Sequence, residues 1–188
     1  MSWSHRRLIT VLAAVALVVA GALVWWFGPL RDRPWVPTCT DLAPNLQTEQ
    51  GGAWTVTDPD EGRENGKHQS SSTCEISFVT ADQKYTGTLY LFTVAADNPD
   101  TARKDVASFP CVGTADPVSV PQDYHALRMC SLTTSSQTLV SVWAAKNDRQ
   151  VTSRVTINIR GDAQAATAYA QQLSRLAADK ALTVPEPE

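Results

Sequence analysis

Residues 8–27 carry no charged side chain and run from Leu8 to Trp25, Trp26 and Phe27, with Arg6 and Arg7 just before them. Twenty helical residues at about 1.5 Å each reach about 30 Å, the thickness of a bilayer's hydrocarbon layer. A chain that opens this way is expected at a membrane, with everything from Cys39 onward outside the cytoplasm. Two fates are open for the segment. Ala20-Gly21-Ala22 offers the small-x-small pattern of a signal-peptidase site behind a basic n-region. Cleavage there would leave Leu23, Val24, Trp25, Trp26 and Phe27 at the new N-terminus, whereas an uncleaved helix sets both indoles at headgroup depth, where amphipathic rings collect. The aromatic cluster favours a single-pass anchor with residues 1–7 cytoplasmic. Flanking charge decides little, since Arg31 and Arg33 nearly match Arg6 and Arg7.

All four cysteines, Cys39, Cys74, Cys111 and Cys130, lie beyond this segment. An even set in an oxidising compartment reads as two disulfides. No Cys-x-x-Cys pair of the kind zinc favours is present, so no metal site is expected. Of the three possible connectivities, the favoured one joins Cys39 to Cys74 and Cys111 to Cys130. Each loop so closed is expected to stabilise the fold by about 3 to 4 kcal/mol. No cysteine stands close enough behind the small residues of the apolar run to accept a lipid.

The chain beyond the segment is long enough for one domain with its own core. The boundaries read as 1–7 cytoplasmic, 8–27 membrane segment, 28–38 a short stiff linker rich in proline, 39–183 the disulfide-stapled domain, and 184–188 an acidic tail. The chain has 16 basic and 19 acidic residues, and setting aside Arg6 and Arg7 leaves the exported part near −5. That charge disfavours nucleic acid and anionic headgroups as partners. Usage rich in Ala, Val, Thr, Asp and Arg suggests a GC-rich bacterial genome.

Periodicity divides the domain further. Leu42 and Leu46 mark a short helical turn, 53–57 a strand, and the polar stretch 58–73 a long flexible loop. From Cys74 the period becomes two, with Ile76 and Phe78 on one side, and a turn at 81–84 leads into a second strand over 85–95, making a hairpin. Asn98-Pro99-Asp100 starts a helix that Pro110 stops, with Ala102, Val106 and Phe109 along one face. Three strands are expected over 126–132, 138–146 and 150–160, then a helix capped by Asp162 whose stripe includes Ala166, Tyr169, Ala170, Leu173, Leu176 and Ala177. The expected fold is α+β, a mostly antiparallel sheet with helices packed against it. The order cysteine, cysteine-bearing strand, hairpin, helix occurs twice, which suggests a duplication in which Cys74 and Cys130 take equivalent places.

Cys39-Thr40-Asp41-Leu42 opening the domain, Cys74 heading a strand and an Ala-rich closing helix resemble small exported actinobacterial domains, the DUF3558-type lipoproteins and the extracellular sensor domains of PknH-like kinases. The resemblance implies a binding or sensing module without catalysis and assigns no residue a role. The chain departs from the first in lacking an acylated cysteine and from the second in lacking a kinase.

Candidates for chemistry are sparse. Beyond the membrane segment the histidines are His68, expected in a solvated loop, and His125, expected in a hydrogen-bonded corner with Asp123 and Tyr124. Ser70, Ser71 and Ser72 lack the Gly-x-Ser-x-Gly elbow of a serine hydrolase. Acids such as Glu75 and Asp82 form no pair that spacing identifies. Asp58, Asp60, Glu61 and Glu64 lack the ligand order of a calcium loop. Trp54 and Trp143 read as core residues. No catalytic residue, cofactor or metal is expected. The expected function is a membrane-anchored extracytoplasmic module that binds an envelope protein or small ligand, recognition falling on the loop 58–73 and on 111–125. The alternatives are a carrier holding an apolar ligand or lipid among Leu89, Leu91, Val140, Val142 and Leu173, and a cell-wall hydrolase.

Overall fold

The computed structural model describes residues 35–58, 63–64, 70–95 and 98–186. The expected membrane segment, His68 and, of the acidic cluster, Asp60 and Glu61 lie outside the described residues. Among those described, no helix is long and apolar enough to cross a membrane.

The elements run in the order α1 (Cys39–Gln50), β1 (Ala53–Asp58), β2 (Arg63–Glu64), β3 (Ser70–Val79), β4 (Thr86–Ala95), α2 (Pro99–Ser108), β5 (Thr114–Asp116), β6 (Ala126–Thr133), β7 (Gln137–Lys146), β8 (Arg149–Asn158) and α3 (Ala163–Thr183). The strands form one antiparallel sheet in the order β1-β3-β4-β8-β7-β6-β5, with β2 also paired to β3. The α+β expectation holds for this part of the chain.

Both faces of the sheet carry helices. Strand alternation sends Ile76, Phe78, Leu89, Leu91, Val140, Val142, Val151 and Val155 to one face, where they meet Leu42 and Leu46 of α1 and Ala170, Leu173 and Ala177 of α3. Alanine at successive turns of α3 lets that helix lie close on β7 and β8. On the opposite face Ala102 and Val106 of α2 pack with Cys130, Trp143 and Ala145. β7 is therefore buried on both sides from Val140 to Ala145, which accounts for its nearly continuous apolar sequence.

The disulfides are Cys39–Cys74 and Cys111–Cys130, the pairing favoured from the sequence. They lie on opposite faces, the first with α1 and α3, the second with α2. The two segments with matching element order fall on either side of β8. β4 and β7 flank it, β3 and β6 come next, and β1 and β5 form the edges. Cys74 and Cys130 thus both lie on strands next to an edge, but the correspondence exchanges faces and leaves β8 without a counterpart.

Four differences from the sequence reading have local causes. The turn at Leu42 is a three-turn helix, because Thr38 caps it: its backbone N–H and hydroxyl both donate to the Asp41 carboxylate, at 2.8 and 2.9 Å. The loop expected over 58–73 is shorter, since Ser70 to Thr73 belong to β3 and residues 63–64 pair with it. β5 is a three-residue edge strand with too little pattern to be read. The linker expected over 28–38 gives its last residues to the domain. Val36 is 6% exposed, the Pro37 carbonyl accepts from the Ser72 hydroxyl at 2.6 Å, and Trp35 lies under the Arg149 guanidinium, 4.8 Å from ring centre to Cζ. Arg149 also donates to the Val184 carbonyl at 2.6 Å, so the start of the domain and the end of α3 share one side chain.

Candidate functional site

α2 covers only part of its face, and the boundary of that coverage makes the site. The Asn98 side chain accepts from the Asp100 N–H at 2.9 Å, and Pro99 begins the helix. At the other end Arg128 donates to the Ala107 carbonyl at 2.7 Å, placing a cation on the negative end of the helix dipole. Cys111–Cys130 fixes the chain just beyond. Between these ties Phe109 lies on Trp143, with centroids 5.4 Å apart and planes 22° apart. Trp143 is 3% exposed and its indole N–H has no hydrogen-bond partner among the described residues. Phe109 remains 37% exposed.

α2 packs on β6 and β7, and no described helix packs over β3, β4 or β8 on this face. The register lays out what is left open. Glu75, Tyr90 and Arg154 are cross-strand neighbours in one row, and Thr73, Phe92 and Thr152 in the next row on this face. Where this open sheet meets the end of α2 there is a cleft of about 550 Å³. Phe92 and Val94 of β4 with Gln150 and Thr152 of β8 line it from the sheet, and Asp105, Ser108, Phe109 and Pro110 from the helix end. Asp105 is the one charged residue among the described residues of that lining. The size falls in the range of small-molecule sites, and the mixture of apolar wall and a few polar groups is typical of them.

A second depression, about 330 Å³, lies beside Pro121, Asp123, Tyr124, Arg175 and Asp179. Asp123, Tyr124 and His125, expected to form a hydrogen-bonded corner among themselves, bond instead to Lys146, Asp179 and the Ala145 backbone. Tyr124 donates to Asp179 at 2.5 Å, Lys146 meets Asp123 at 2.6 Å and lies 5.1 Å from the Tyr124 ring centre, and the His125 N–H donates to the Ala145 carbonyl at 2.8 Å. Burial, with the Asp179 hydrogen bond and charge, pushes the Tyr124 phenol well above its ordinary range. The bond from Lys146 holds Asp123 below the usual carboxylate value.

A third, about 500 Å³, is bordered by Gln83, Lys84, Tyr85, Arg160 and Asp162. Asp162 in this lining and Asp82 in the adjacent turn are both engaged locally. Asp162 accepts from the N–H groups of Gln164 and Ala165 at the start of α3. Asp82, held down to about 2 chiefly by the Thr80 hydroxyl, closes the β3–β4 turn.

The remaining sequence candidates are dispersed. Glu75 stands on the open face, far in the fold from the Asp82 turn's own bonds to Thr80 and Lys84. Ser72 commits its hydroxyl to Pro37. Trp54 donates to the Gly51 carbonyl at 2.7 Å and stacks on Phe78, while Trp143 underlies Phe109, so both belong to packing as expected. Leu89, Leu91, Val140, Val142 and Leu173 are at most 1% exposed and fill the space between sheet and helix themselves, and none lines a described depression. The cleft residues were missed in the sequence. The signal for them was β4, where Leu89 and Leu91 alternate with Tyr90, Phe92 and Val94 and so offer apolar groups to both faces.

No family model, curated protein or solved structure matches the chain.

Proposed function

We propose that the chain is a membrane-anchored extracytoplasmic binding module without chemistry of its own, and that it recognises its ligand in the cleft at the end of α2 and on the adjoining open sheet. The observation that carries the reading is the sheet face that α2 leaves uncovered, with Tyr90, Phe92 and Val94 beside a rigid, disulfide-fixed helix end. A recognition surface held on strands and pinned by a covalent link is preorganised, so little ordering entropy is lost on binding. The two disulfides are compatible with an oxidising, extracellular setting. The apolar run 8–27 supports the anchor, and the charge near −5 beyond it disfavours nucleic acid.

The test is a photo-crosslinking amino acid placed at Tyr90 on the open face and, separately, at Gln172, exposed on α3. In cells of the native envelope, irradiation should give a discrete adduct from position 90 and none from 172. Identical patterns from both positions would overturn the assignment of the face.

A further inference from the structure

We infer that the open face of β3, β4 and β8 docks a second copy of this chain about a two-fold axis running along β4; this names the partner of the recognition face proposed above and rests on that reading. β3 and β8 flank β4 in unbroken register, so each β4 residue on the face has one neighbour on either side. Tyr90 lies between Glu75 and Arg154, Phe92 between Thr73 and Thr152, and Thr88 between Ser77 and Thr156. Alternate residues of a strand share a face. Tyr90, Phe92 and Val94 therefore make an aromatic and aliphatic central line with polar side chains to both sides.

Charge selects the partner and the axis. β3, β4 and β8 bring two charged side chains to this face, Glu75 and Arg154, of opposite sign and one strand to either side of Tyr90. Adjacent strands lie about 4.8 Å apart, which sets the two Cα atoms about 10 Å from each other. Arg154 is exposed and Glu75 half-buried, and neither side chain has an ion pair among the described residues. A two-fold axis along β4 turns a second copy over so that its Glu75 faces Arg154 and its Arg154 faces Glu75, giving two identical pairs from one operator. Packed sheets lie about 10 Å apart, a gap that glutamate and arginine close when they reach in from both sides. An axis across the strands instead sets Glu75 on Glu75 and Arg154 on Arg154, and like charges repel. Along the favoured axis Tyr90 and Phe92 meet their own counterparts, aromatic anchors within a polar margin, as in other protein interfaces. The two charges cancel, so the face offers no net field to a polyanion or a polycation.

The test places the photo-crosslinking amino acid at Tyr90 of the full chain in its native membrane. Irradiation should give an adduct of twice the chain's mass in which β4 is joined to β4. Glu75→Arg and Arg154→Glu should each cut that adduct about tenfold, because each sets like charges opposite one another in both pairs. The double variant, with the two charges exchanged, should recover it. Coexpression of the two single variants under different epitope tags should also recover it, as an adduct carrying both tags, because every pair between them is again of opposite sign. A folding defect in one chain is not repaired by the other. A double-mass adduct that survives both single variants, or coexpression that restores nothing, would overturn the inference. An adduct of any other mass would leave the recognition face standing and remove self-pairing; no adduct at all would remove both.

Discussion

Tyr124 shows how far a single residue is legible from its neighbours in the chain. Asp123, Tyr124 and His125 are adjacent in sequence and read as a local hydrogen-bonding unit, but their bonds go to Lys146, Asp179 and the Ala145 backbone. The acceptor of the Tyr124 hydroxyl, Asp179, lies 55 residues away on α3 and only the packing of that helix brings it near. Burial and Asp179 favour the neutral phenol in the folded state, so its folded pKa lies above the unfolded value of about 10. This contribution to stability is therefore fully present below pH about 10 and is lost as pH rises through the higher folded value. Ultraviolet titration of the native chain should show late-ionising tyrosine, and Tyr124→Phe should remove part of it. The variant should lose about 1 kcal/mol at neutral pH and show a shallower alkaline decline. Tyr169, also raised by burial, should continue to ionise late. An alkaline profile unchanged by Tyr124→Phe would show that another group governs it.

At the scale of elements, signals confined to a few neighbouring residues were readable and those that depend on pairing were not. Asn98-Pro99-Asp100 and Asp162 mark their helix starts because a cap is a local hydrogen bond. β5 and the added length of β3 are defined by partners, Ser131 to Met129 for one and Phe92 to Val94 with residues 63–64 for the other, and three or four residues without an apolar period do not announce a strand. The disulfides join elements to the sheet on opposite faces, so their removal should have separable effects. Closing 35 and 19 residues of chain corresponds to about 4 and about 3 kcal/mol in the loop-entropy account. Cys111→Ser with Cys130→Ser should lower urea-unfolding stability by about 3 kcal/mol and also loosen the end of α2, seen as faster hydrogen exchange at Val106 and Phe109. Cys39→Ser with Cys74→Ser should cost slightly more while leaving exchange at those two amides unchanged in the folded state. Matching exchange in both double variants would show that the bridge does not fix the helix end.

For the whole molecule, the fate of residues 8–27 is the sharpest expectation the sequence makes, and intact mass decides it. Protein purified from its native membrane should begin at Met1 and weigh about four hydrogen masses less than the reduced chain, one pair for each disulfide. A chain beginning at Leu23 would mean cleavage after Ala22 and would remove the tether. The sequence by itself determined the α+β class, the longer strands, and α2 and α3 with their Asn98 and Asp162 caps, because periodicity and capping act over short stretches of chain, while of three cysteine pairings it only favoured one. The order β1-β3-β4-β8-β7-β6-β5, the placing of α2 opposite α1 and α3, and the cleft bordered by Phe92, Thr152 and Phe109 were decided only by tertiary structure. Two apolar faces on one strand say that something must cover each. Which helix arrives, and how much of the face it leaves bare, depends on contacts between residues far apart in the chain.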